Sequence, residues 1–192
     1  MRKLTYFVAT TIDGFIAAPD GAFAFFFEHL TEDFFAHLGG EYADTLNTPG
    51  RNAFGLADRP NTRFDTVLMG RGTYESGLPD VVSPYGHLRQ IVFSRSLTER
   101  PDPAVEVTAE DPLARVRALK KEDGLGIWLC GGGDLAGQLL PEIDELIVKQ
   151  YPIVAGSGIP MFGAGFDNRR FALTGTHVTD ACVFHTFTKA AG

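Results

Sequence analysis

Cysteine is scarce in this 192-residue chain: Cys130 and Cys182 are the only two, far apart and with no CxxC spacing. That pattern excludes a disulfide framework and makes a structural zinc site unexpected. Long apolar runs are missing as well. None approaches the roughly 18 residues of a membrane helix, so no membrane partner is expected. Positive charge is in deficit, with 17 Lys and Arg against 24 Asp and Glu for a net charge of −7. A surface of that sign does not suit nucleic acid or anionic lipid, although a local basic site for one small anion remains open. Neither GxGxxG nor GxxxxGK[ST] occurs, so neither standard nucleotide fingerprint is present. The N-terminal MRKLTYFVATT is too short and too rich in β-formers for a signal peptide. A cytoplasmic enzyme or binding protein is the expectation, folded as one domain over residues 1–192.

What is present is rhythm. LTYFVATT reads as a buried opening strand, and IDGFIAAPDG as a turn, a brief extended piece and a second turn. Residues 22–63 are irregular and read as an insertion. Within it a helix is expected around Thr31 to Leu38, capped by Thr31 or its neighbour and stopped by Gly39-Gly40, followed by a long loop, NTPGRNAFGLADRPNTR. The order then becomes regular. DTVLMG, RQIVFS, AVEVT, GIWLC and IDELIVKQYPIV read as strands, and RGTYESG, DPLARVRALKKE and GGGDLAGQLLPE as helical segments. RRFALTGTHVTD and ACVFHTFTK close the chain as an antiparallel pair turning near Asp180. Strands alternating with helices predict an α/β fold with a mainly parallel sheet, covered on both faces and antiparallel at its C-terminal edge.

Three strands end in polar or glycine turns, VLMG-RGT, IVFS-RS and IWLC-GGGD. In a parallel sheet such ends share one rim, where ligands bind. Gly70, Ser94 and Gly131 belong to that rim, and Gly131, Gly132 and Gly133 permit close approach of a ligand to the backbone. Helix starts after these turns offer unpaired N–H groups. Arg71 and Arg95 each follow a strand end, and guanidinium grips phosphate through paired hydrogen bonds. Ser94 and Ser96 add hydroxyls. Together these residues suit a phosphorylated dinucleotide, with Arg95 on its 2′-phosphate. The competing reading is a tight αβ connection with surface charges.

VLMGRGTYES, IVFSRS and IWLCGGGDLAGQLLPEIDELIV, in this order and spacing, resemble the dihydrofolate reductase superfamily. ATTIDGFIAAPDG and YPIVAGSGIPMFG are similar to the branch typified by the C-terminal reductase domain of riboflavin-biosynthesis enzymes. The resemblance implies a three-layer α/β/α sandwich, NADPH as hydride donor, and a pterin or ribosylamino-pyrimidine-like substrate. It places Gly70, Arg71 and Thr73 on the cofactor phosphates and Ser94 and Arg95 on the 2′-phosphate. Gly131, Gly132, Gly133, Asp134 and Leu135 fall at the diphosphate and nicotinamide end, with a cis Gly131–Gly132 peptide expected. A homodimer is the expected assembly. Two other readings stay open: an oxidoreductase of the same fold acting on an unrelated small molecule, and a nucleotide-binding module without catalysis.

On the substrate side Asp13, in TTIDGF, is the first candidate, either for substrate contact and catalysis or for a turn of its own. Asp33 is the second; it is the nearest counterpart of the folate-reductase acid, with different flanks and longer spacing, and otherwise a charge suited to a helix start. Lys149 either faces solvent, the safer expectation, or meets an anionic substrate. Gly156 and Gly158 either approach the substrate or form a flexible turn. Cys130 reads as a small apolar filler. His29 and His37 lie among six phenylalanines, a cluster that packs the domain, roofs an aromatic ligand or forms a dimer surface; no metal is expected.

Overall fold

The computed structural model describes residues 1–97, 102–163, 165 and 167–190. Its strands are β1 Leu4–Thr10, β2 Phe15–Ala17, β3 Phe64–Gly70, β4 Arg89–Phe93, β5 Val105–Thr108, β6 Gly126–Gly131, β7 Glu145–Gln150, β8 Ile159–Pro160, β9 Phe171–Val178 and β10 Val183–Lys189. Its α-helices are α1 Glu32–Glu41, α2 Thr48–Ala53, α3 Arg71–Glu75, α4 Pro112–Leu119 and α5 Gly133–Leu139. Eight strands form the main sheet in the order β5-β4-β3-β6-β1-β7-β10-β9, and β2 pairs with β8 separately. Pairings from β5 across to β7 are parallel, whereas β10 runs antiparallel to both β7 and β9.

Side chains alternate across this sheet with the period of two that a strand imposes. Leu4, Tyr6, Val8, Leu68, Ile91, Ile127, Leu129, Leu146 and Val148 point to one core, closed by Val116 and Leu119 of α4 and Leu135, Ala136 and Leu139 of α5. Phe7, Val67, Met69, Val92, Trp128 and Ile147 point to the other, closed by Phe34 and Leu38 of α1 and Tyr74 of α3. Burial on both faces explains why the strands read as unbroken apolar runs. The three-layer α/β/α sandwich follows from these two cores.

Several boundaries differ from the sequence expectation; the long strand expected over IDELIVKQYPIV covers only Glu145–Gln150. The first helix is capped as expected, with the Thr31 hydroxyl accepting from Phe34 N–H at 3.1 Å, but it does not stop at Gly39-Gly40. It runs on to Glu41 because its last four carbonyls all find donors. Tyr42 N–H serves Leu38 at 2.8 Å. Arg59 serves Gly39 and Gly40 at 2.6 and 3.1 Å, and Arg63 Nε serves Glu41 at 2.7 Å. Unsatisfied carbonyls end a helix, and supplying them overrides two glycines at about 1 kcal/mol each. The expected long loop contains α2, capped by Asn47, whose side chain accepts from Gly50 N–H at 2.8 Å.

Residues 43–64 are fastened by one buried carboxylate. Asp44 Oδ2 accepts from the N–H groups of Thr62, Arg63 and Phe64 at 2.9, 2.6 and 3.0 Å. The equally buried Arg51 guanidinium stands 3.9 Å from Oδ1 and donates to the carbonyls of Ala43 and Arg59. This knot sets the entry of β3, whose far end carries the rim glycine Gly70.

Candidate functional site

Because β1, β3, β4, β6 and β7 are parallel, their C-terminal ends Thr10, Gly70, Phe93, Gly131 and Gln150 lie along one edge. The β9–β10 turn joins the same edge, since Val183 pairs with Gln150. At its centre, β4, β3 and β6 are adjacent and bring the three polar turns side by side.

Gly70 leads into α3, and a Cβ placed on it would lie 3.5 Å from Gly132 N and 3.6 Å from Gly131 O. The turns after β3 and β6 therefore touch. The Gly131–Gly132 peptide is cis, as the family resemblance implies. Gly131 has φ +150°, which disfavours any side chain. A Cβ on Gly132 would meet only Thr73 Oγ1, at 3.6 Å, so this side of the peptide is open. Gly133 is glycine for a different reason: its Cβ would sit 2.2 Å from Pro160 O. Its absence allows β8 to lie against the start of α5, and Gly163 N–H reaches Gly133 O at 2.8 Å. Leu135 is buried in the core, so only its backbone faces the rim, while the Asp134 side chain is exposed.

Arg71 spans two turns: its guanidinium donates to Ser96 Oγ at 2.9 Å and lies 3.5 Å from Glu75. Ser94 Oγ accepts from Ser96 and Leu97 N–H at 3.2 and 2.9 Å, which leaves its own hydroxyl proton to donate outward. Arg95 is exposed and makes no hydrogen bond or ion pair with the described residues. The short helices α3 and α5, five and seven residues long, contribute little macrodipole. What the edge offers an anion is individual N–H, hydroxyl and guanidinium donors.

The two candidate acids, Asp13 and Asp33, are both engaged. Asp13 accepts from the Thr11 hydroxyl at 2.6 Å and from Ala155 and Gly156 N–H at 3.1 and 2.7 Å, pinning the loop after β7 to the turn after β1. The Thr11 hydroxyl first, and then these amides, hold its carboxyl down at about 2. A group so acidic is ionised at neutral pH and donates no proton there. Asp33 Oδ2 accepts from Asp180 N–H at 3.3 Å, tying the first turn of α1 to the β9–β10 turn. Gly156 has φ +73°, and a Cβ on Gly158 would strike Ala17 O at 2.3 Å, so both glycines have conformational or packing causes.

Lys149 departs from the expectation that it faces solvent. Strand alternation puts it on the same face as Ile147, and its Nζ lies 4.7 Å above the Phe7 ring and 6.0 Å from that of Phe34. It makes no ion pair with the described residues, and burial pushes its amine down to about 8. Cys130, at the end of β6, and Cys182, after the β9–β10 turn, flank this face. Burial pushes both thiols up, Cys130 to about 11, so neither supplies an anion at neutral pH. Cys130 is half-buried and contacts Tyr85 Oη at 3.7 Å, which is compatible with a filler role. The amphipathic strand pattern hid Lys149 because a lysine inside an apolar alternation reads first as an exception.

The phenylalanines divide. Phe26 and Phe34 are core, whereas Phe23, Phe27 and Phe54 are exposed. His37 stacks on His177 with ring centroids 3.7 Å apart, and the side chain of His29 lies outside the described residues. Among the described residues no cluster of three metal-binding side chains occurs, and no helix is long and apolar enough to cross a membrane.

The RibD C-terminal domain family model matches residues 2–184. Two Bacillus subtilis (strain 168) proteins, both uncharacterized, are similar along most of their length. YwjB is 33% identical over 178 residues, 91% of each chain. YyaP is 27% identical over 175 residues, 84% of this chain and 80% of its own. A crystal structure of a riboflavin biosynthesis protein from Shewanella sp. PV-4 superposes with a TM-score of 0.68 at 24% identity, covering 98% of this chain and 99% of that one. The diaminohydroxyphosphoribosylaminopyrimidine deaminase/5-amino-6-(5-phosphoribosylamino)uracil reductase of Thermotoga maritima superposes with a TM-score of 0.67 at 16% identity, covering 98% of this chain and 57% of that longer one. At these identities the solved structures establish the fold.

Proposed function

The chain belongs to the RibD C-terminal domain family, and on that premise we propose that it is an NADPH-dependent reductase of a pterin or ribosylamino-pyrimidine-like heterocycle. One observation carries the reading. Adjacent strand ends of β3, β4 and β6 collect two guanidinium groups, three hydroxyls and an open glycine peptide on one ledge of a chain with net charge −7. The open side of Gly132 fits a ligand that approaches the backbone closely, as a dinucleotide diphosphate does.

Each group has a defined task in this reading. Arg95 and the outward hydroxyl of Ser94 hold the 2′-phosphate. Arg71, oriented by Ser96, and Thr73 hold the diphosphate together with backbone N–H groups at Gly131–Gly132. When bound, the nicotinamide supplies a hydride to an electron-poor C=N or C=O carbon. The chain itself supplies position and electrostatics: Asp13 and Asp33 keep the loops around the rim in place, and the heterocycle would meet the nicotinamide at that rim.

Calorimetric titration of the native protein with NADPH and with NADH tests the reading. Saturable binding of NADPH, with NADH weaker, is expected. Equal affinity for the two would remove the 2′-phosphate assignment, and absence of binding to folded protein would remove the function.

A further inference from the structure

Lys149 stands at a place the cofactor ledge leaves unexplained. It occupies β7 one residue before the strand ends, paired with Ala9 of β1 on one side and Phe184 of β10 on the other. Gly131, the last residue of β6, lies on the other side of β1. Two strand spacings, about 10 Å, thus separate the Lys149 backbone from the open glycine peptide. Between them β1 places only the small side chain of Ala9, half-buried against the core. The ammonium rests on the Phe7 ring with no carboxylate in ion-pair reach among the described residues, and its flanking thiols, Cys130 and Cys182, are neutral. A half-buried cation on an aromatic floor is costly unless something electron-rich meets it.

We propose that Lys149 is the proton donor of the reduction, and that the substrate presents to it a neutral carbonyl or imine heteroatom, not an iminium cation. The proposal rests on the reductase reading and goes beyond it by assigning the acid and the charge state of the acceptor. As the C=O or C=N carbon gains two electrons and a hydrogen from the reduced coenzyme, the displaced π pair settles on the heteroatom. That atom takes a proton from Lys149 Nζ, leaving a neutral amine that regains its proton from water. Asp13 cannot fill this role at neutral pH, and Asp33 is engaged with Asp180. The other titratable groups packed near this face are Tyr151, whose phenol is pushed up by burial, and His37 of α1, whose imidazole is pushed down by burial, while Glu32 and Asp33 of α1 lie at its exposed first turn. An amine titrating near 8 is matched to proton transfer at neutral pH.

The test uses phenanthrenequinone as a flat, neutral dicarbonyl acceptor with NADPH. A general acid is worth about 100- to 10,000-fold, so Lys149→Met is expected to lower kcat by at least about 100-fold while KM changes only a few-fold. Lys149→Arg keeps the charge but not a transferable proton, and kcat should stay low while acceptor binding survives. In the native protein activity should fall as pH rises through the lysine's titration, and this limb should vanish in both variants. A readout independent of turnover comes from lysines dimethylated with 13C-formaldehyde. The resonance missing in Lys149→Arg should titrate well below the other lysines and shift when phenanthrenequinone is added with NADP+. Unchanged kcat and pH profile in the variants would overturn the proposal. So would a native protein that binds NADPH yet neither reduces the quinone nor shifts the Lys149 resonance, and that outcome would leave the reductase reading standing. Failure to bind NADPH at all would overturn both.

Discussion

Replacing Asp44 by Ala is expected to lower folding stability by about 3–5 kcal/mol, the usual cost of breaking a buried charged pair from one side. The carboxylate is 1% exposed and Arg51 is 2% exposed, so neither can be compensated by water. The substitution leaves the Arg51 cation without its nearest anion and strips the acceptor from three consecutive N–H groups at Thr62, Arg63 and Phe64. For a chain of this length each kcal/mol moves the melting temperature by about 2–4 °C. Thermal unfolding of the variant should therefore show a fall of roughly 6–20 °C. Asp44→Asn keeps an acceptor for the amides but not the charge, and is expected to fall between the two. A loss under about 1 kcal/mol for the alanine variant, the range of a surface pair, would mean that residues 43–64 are not held by this knot.

Arg95→Ala is expected to weaken NADPH by about 1.5–3 kcal/mol, the worth of a hydrogen bond to a charged group. That corresponds to an increase in Kd of roughly 10- to 150-fold. NADH, which lacks the 2′-phosphate, should lose almost nothing. Arg95 suits this comparison because it is exposed and makes no hydrogen bond or ion pair with the described residues, so its removal breaks none of these among them. Arg71→Ala would be less clean, since Arg71 also bridges the β3 and β4 turns through Ser96. Equal losses for both coenzymes in Arg95→Ala would place the guanidinium elsewhere than on the 2′-phosphate.

The edge where the β3, β4 and β6 turns meet was legible in the letters because it is built locally. A strand, its terminal glycine and the next polar residues are consecutive, and parallel pairing alone carries Gly70, Ser94 and Gly131 to one edge. The helix capped by Thr31 was legible for the same reason, its cap bonding an N–H three residues on. What escaped depends on distant partners. The first helix passes Gly39-Gly40 only because Arg59 and Arg63 arrive from some twenty residues away. Gly133 reads either as an approach for a ligand or as part of a tight connection, and the packing cause, Pro160, lies far along the chain. Asp13 reads either as a substrate contact or as a turn residue, and the amides its oxygens accept from lie more than 140 residues further on. Lys149 was placed by strand alternation, which fixes its face, against the solvation preference of an isolated lysine. The Lys149 face is assembled from β1, α1, β7 and the β9–β10 turn together, and no short motif spells such a combination.

The central claim is that the ledge formed by the β3, β4 and β6 turns binds the phosphorylated nicotinamide coenzyme. It is tested most directly by following backbone amide resonances of 15N-labelled protein as NADPH is added. The account predicts saturable shifts concentrated at Gly70, Arg71, Thr73, Ser94 to Ser96 and Gly131 to Leu135. Shifts confined to another surface, or none at saturating coenzyme, would contradict it.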